Sequence, residues 1–143
     1  MRSLARPFVS RVACIAACGL LAVSAAHAEA LPANHPLIGT WVITAPNGCA
    51  ETYVVRADGT ATITSADEVA ESQLTISEQP SARGFFKWTE KVVNDNGKKD
   101  CSGDVGAAGK VAVSFVLLSP DKSQFAMCDR EDRTSCIGPF KRK

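Results

Sequence analysis

Short runs of alternating apolar and polar residues, each closed by a turn signal, recur from residue 37 to residue 141, and no stretch there carries helical i, i+3, i+4 patterning. The runs are Leu37 to Thr44, Cys49 to Arg56, Thr60 to Thr64, Glu71 to Ser77, Gly84 to Val93, Val111 to Leu118, Gln124 to Asp129 and Ser135 to Lys141. Between them lie Ala45-Pro46-Asn47-Gly48, Asp58-Gly59, the polar stretch Ser65 to Ala70, Gln79-Pro80-Ser81, Asn94 to Asp100, a Gly-rich loop over Cys101 to Gly109, Ser119-Pro120-Asp121-Lys122 and Arg130 to Arg133. Asp58-Gly59 between two strand-like runs predicts a type I′ hairpin, whose two central residues both need positive φ. Strands that succeed one another at roughly 10–13 residues predict an all-β, up-and-down antiparallel sheet. Eight twisted strands tend to close on themselves and so lose their exposed edges. The predicted fold is therefore an eight-stranded up-and-down antiparallel β-barrel, with an open sandwich as the alternative. Period-two reading sends Trp41, Ile43, Tyr53, Val55, Ile63, Leu74, Ile76, Phe86, Trp88, Val113, Phe115, Leu117, Phe125 and Met127 to the inside.

The first 28 residues belong to another class. They carry Arg2, Arg6 and Arg11 and no acid, run apolar from Val12 to Ala26, and end Ala26-His27-Ala28. A basic start, an apolar middle and an Ala-x-Ala end predict a secretory signal peptide cut after Ala28. The apolar stretch is too short for a stable membrane span, which needs about 20 residues. Ile15-Ala16-Ala17-Cys18 reads alternatively as a lipoprotein box, but the apolar run continues past Cys18. Cleavage leaves 29–36, an extended Pro-containing segment with His35 on an exposed loop, and 37–143, one domain of ordinary size. The expected location is periplasmic or secreted.

Cleavage also leaves four of the six cysteines: Cys49, Cys101, Cys128 and Cys136. An even number in an exported chain implies disulfides. A zinc site is the alternative, but no Cys-x-x-Cys occurs and one histidine remains. Cys128 and Cys136 flank a short polar loop and can face each other across the neck of a hairpin, which leaves Cys49 for Cys101. The predicted bridges are Cys49-Cys101 and Cys128-Cys136, stapling a small domain.

Charge and chemistry exclude several functions. The leader holds three of the 16 basic residues, so the remainder carries 13 against 15 acids, a net −2. Without a basic stripe, phosphate neutralisation is weak, and no nucleic-acid partner is expected. Nucleophilic catalysis needs a base beside the nucleophile, and one histidine with oxidised cysteines supplies none. The acids Asp67, Glu68 and Glu71, and Asp129, Glu131 and Asp132, read as solvated turns. Asp95 to Asp104 lacks the calcium-loop spacing. No catalytic residues, metal site or cofactor are predicted, and the chain is not expected to be an enzyme.

Gly39-Thr40-Trp41 opens the first strand and resembles the Gly-x-Trp signature of lipocalins and their calycin relatives. That resemblance implies an eight-stranded barrel whose Trp closes one end, with a basic residue of the last strand packed on it. Arg142, or Lys141, stands where that residue belongs. It further implies a binding protein for a small apolar ligand, or for a partner at a barrel end. The chain also resembles exported bacterial metalloprotease inhibitors, small barrels with Gly-x-Trp and a following Cys, here Cys49. That resemblance implies an inhibitor of a secreted hydrolase, with residues 29–36 as the arm that enters the target. This chain departs from that pattern by having four cysteines.

Overall fold

The computed structural model describes residues 28–143, so the leader, with Cys18 and all but the last residue of the cleavage motif, lies outside the described residues. Among the described residues the chain forms eight strands and no helix. They are β1 (Gly39–Thr44), β2 (Ala50–Val55), β3 (Thr60–Ser65), β4 (Glu68–Ile76), β5 (Phe85–Asp95), β6 (Val111–Leu118), β7 (Gln124–Cys128) and β8 (Cys136–Arg142). Each pairs antiparallel with the next, and β8 returns to β1 through Trp41 opposite Arg142 and Val42 opposite Lys141. The sheet is a closed barrel in sequence order.

Two turns differ from expectation. Between β2 and β3 only Gly59 has positive φ, at 76°, and the Asp58 side chain accepts the Thr60 N–H at 3.0 Å. A single left-handed glycine closes this four-residue turn, so Asp58 need not adopt the conformation disfavoured for residues with a Cβ. The polar stretch Ser65 to Ala70 is mostly strand. Ser65 pairs with Glu68 around Ala66 and Asp67, and Ala66 takes positive φ without being Gly or Asn.

The lumen is packed with aromatic rings. Trp41 meets Phe125 edge-on at 4.8 Å, Phe125 stacks on Phe140 at 4.5 Å, and Tyr53 meets Phe140 edge-on at 5.4 Å. Such pairs add to the hydrophobic gain of burying the rings. Val55, Ala61, Ile63, Leu74, Ile76, Phe86, Trp88 and Val116 complete the core, with Ile43, Tyr53 and Met127 half-buried against it.

The predicted inside face of β6 is reversed. Trp88 pairs with Ser114 and Phe86 with Val116, and both aromatics are buried. Neighbours across a ladder share a face, so Ser114 and Val116 point inward and Val113, Phe115 and Leu117 point outward. Val116 is fully buried while Val113 is 49% exposed. The indole of Trp88 fills the lumen at this level, and a small residue belongs beside it.

Two irregularities adjust the register. The β4–β5 pairing shifts between Glu71 and Ser72. The β7–β8 pairing shifts between Phe125 and Met127, opposite Gly138 and Pro139. Gly138 has φ 144°, and a Cβ there would lie 3.1 Å from the Phe125 carbonyl oxygen. Proline tolerates a strand position at such a bulge, where no ladder donor is needed.

Candidate functional site

The end of the barrel at Trp41 is sealed by a latch. The Trp41 indole donates to the Leu37 carbonyl at 2.9 Å. The Arg142 guanidinium lies 4.1 Å from the centre of a Trp41 ring. It also donates to the carbonyls of Pro36 at 2.6 Å, Ile38 at 2.9 Å and Lys122 at 3.3 Å. Gly39 has φ 134°, and a Cβ there would stand 2.7 Å from Arg142 Nη1. Gly39, Trp41 and Arg142 therefore act together, and Arg142 rather than Lys141 is the packed cation.

The segment before β1 belongs to this seal and is not extended. His35 N–H donates to Pro32 O and Ile38 N–H to His35 O, two successive turns. Leu31 and Leu37 enter the core. His35, expected on an exposed loop, is 4% exposed. Its Nε2 lies 3.1 Å from the Ser77 carbonyl, its Nδ1 is 3.3 Å from the Leu37 N–H, and its ring meets Phe86 edge-on. With both nitrogens engaged by the backbone, burial of the imidazole leaves no unpaired polar atom. Further back, Leu31 N–H donates to Ala57 O, and the Glu29 carbonyl packs where a Cβ on Gly59 would stand.

Where this segment meets the β4–β5 and β6–β7 loops, a groove of about 440 Å³ opens. Pro32, His35, Pro36, Pro80, Phe86 and Pro120 line it, with Glu78 and Lys122 among its polar groups. Apolar walls with a few polar groups, at more than about 300 Å³, are the usual form of a small-molecule site.

The opposite end is acidic. Pairing with inward residues carries Glu51, Glu68, Glu90 and Asp95 to the inside face near the rim. Ser65 and Ser72 are almost fully buried. Ser65 donates to Glu51 at 3.0 Å and Ser72 to Glu90 at 2.7 Å. Burial, then the Glu51 and Glu90 carboxylates, push the Tyr53 hydroxyl far above the usual phenol range. Burial, then the Asp95 carboxylate, raise Glu68, which hydrogen-bonds Asp95.

The loop after β5 covers this mouth. The Cys49–Cys101 disulfide ties it down, the Cys101 N–H donates to Ser65 Oγ at 3.0 Å, and Asn47 donates to the Cys101 carbonyl at 2.9 Å. Gly106 rests on the carboxylate pair. A Cβ there would meet Asp95 Oδ2 and Glu68 Oε1, the ends of side chains that would have to swing aside to admit it. The remaining cavity is about 250 Å³ and includes Lys110 in its lining.

Both disulfides, Cys49–Cys101 and Cys128–Cys136, join the residues expected from the sequence. Glu68 and Glu71 do not lie in a solvated turn. Glu68 faces Asp95, and Glu71 accepts from Thr62 at 2.8 Å on the outside of β4. In the former calcium-like stretch, Asp95 accepts the Gly97 N–H, and Asp100 accepts those of Ser102 and Asp104. Those carboxylates shape their own loop. Sequence reading missed the rim carboxylates, although Glu51 stands two residues before Tyr53 and Glu90 two after Trp88, on faces already assigned inward. No family model matches the chain, and neither does any curated protein or solved structure.

Proposed function

We propose that the chain is an exported, non-catalytic barrel of calycin type that binds a small apolar ligand in the groove at its sealed end. The observation that carries the reading is that groove: about 440 Å³, walled by four prolines and Phe86. The lumen is filled by aromatic rings and the acidic mouth is smaller, while a groove of about 450 Å³ along Leu117, Ala126 and Pro139 adjoins this one at Leu118 to Pro120. Two disulfides and the leader pattern support export. The Gly39-Trp41-Arg142 latch supports the calycin likeness. An inhibitor working through residues 29–36 as a free arm fits less well, because Leu31 and His35 would have to leave the core to reach a target.

The neutral dye N-phenyl-1-naphthylamine tests the reading. The wild-type protein should enhance its fluorescence saturably, with one site per chain. Asn34→Trp and Gln79→Trp, both at exposed positions around the groove, should weaken binding at least about fivefold with an unchanged unfolding midpoint. Absence of saturable binding, or binding by both variants as tight as the wild type's, refutes the proposal.

A further inference from the structure

The outer face of β6 presents Val111, Val113, Phe115 and Leu117 in one line, the first two 61% and 49% exposed. A strand facing solvent usually places polar side chains there. The adjoining strand interleaves this line with cations: Lys91 pairs with Val111 and Lys87 with Phe115. Both lysines are exposed, and among the described residues neither takes part in an ion pair. Beyond Phe115, across the next ladder, lies the buried Cys128 of the second disulfide, which stiffens this wall.

We propose that this wall docks on an anionic lipid surface, with Val111, Val113 and Phe115 entering the interface and Lys87 and Lys91 meeting the headgroups. Three features select that occupant. Unpaired lysines beside exposed apolar side chains complement a surface that is negative outside and apolar beneath. Lysine stems lie along apolar neighbours while the ammonium reaches outward, which suits a depth gradient. The apolar line is a single strand wide on the outside of a closed barrel, whereas a specific protein interface spans roughly 800 Å² per partner, and a bilayer deforms to meet a narrow line.

The test is flotation of the disulfide-bonded protein, residues 29–143, with vesicles of phosphatidylcholine alone or with about 30% phosphatidylglycerol. The protein should float with the anionic vesicles only and be released by about 0.5 M salt. Lys87→Glu with Lys91→Glu should reduce flotation at least about tenfold, and Val111→Asn with Val113→Asn by a similar factor, without lowering the unfolding midpoint. Absence of flotation with anionic vesicles overturns the proposal. So does wild-type flotation by either double variant, or a stable dimer through this face that does not bind vesicles. Groove binding of the dye is read separately, so failure of one does not decide the other.

Discussion

The two disulfides should contribute unequally, and the difference can be worked from chain separation. Cys49 and Cys101 are 52 residues apart, and Cys128 and Cys136 are 8 apart. In the chain-entropy treatment a bridge restricts the unfolded ensemble by an amount that grows with the logarithm of the closed loop. It gives about 4 kcal/mol for the longer loop and about 2.5 kcal/mol for the shorter. Packing narrows the gap: Cys128 is 1% exposed and Cys101 is 8% exposed, so the short bridge loses more tightly held sulfur. Urea unfolding at pH 7, followed by fluorescence of Trp41 and Trp88, reads the difference. Cys49→Ser with Cys101→Ser should lower stability more than Cys128→Ser with Cys136→Ser, by about 1 kcal/mol. The m-value should rise with the longer loop freed, because more surface is exposed on unfolding. Equal losses, or a larger loss at the hairpin, would show that native packing around the sulfur outweighs loop closure and would refute the entropic ranking.

Three further perturbations probe the interior and its two ends. Val116→Ala should cost about 1.5–3 kcal/mol and Val113→Ala under about 0.5 kcal/mol in the same assay, since only the first leaves a void in a packed lumen. Arg142→Lys should cost about 1–2 kcal/mol, because an ammonium cannot span three carbonyls while stacking on Trp41; a value near zero would mean the latch works through charge alone. Glu68→Gln should stabilise the protein at pH 8 and do little at pH 4. The folded protein raises this carboxyl, so its stabilising contribution is complete below the ordinary value of 4.5 and is lost as pH rises through the folded value; a variant effect independent of pH would contradict the Glu68–Asp95 coupling.

Strand number and order were legible because the turn signals are local and each strand pairs with its neighbour. The Cys128–Cys136 bridge was legible for the same reason, since consecutive pairing puts the two opposite each other, and Cys49–Cys101 followed by elimination. Strand β6 was misread because both of its faces are apolar enough to be buried. The choice between them was made by Trp88 on the neighbouring strand, whose bulk needs Ser114 beside it. Residues 29–36 were misread because their order comes from distant partners, Ala57 and Ser77, and not from any local period. The sealed-end groove had no signal at all, since Pro32, Pro80 and Pro120 each read as isolated punctuation until the barrel brings three separate loops together. The rim carboxylates were within reach, as parity alone places Glu51 with Tyr53 and Glu90 with Trp88.

The seam between β1 and β8 sets a condition on how the molecule comes into being. The first strand to emerge during synthesis finds its second neighbour only in the last one, so every incomplete chain presents two raw margins instead of a cylinder. Loss of the final strand would remove the cation over Trp41 and leave β1 and β7 each with an unpaired edge. The closing stretch Phe140 to Arg142 thus ties closure of the ring and the capping of Trp41 to the same few residues, so one cannot be lost without the other.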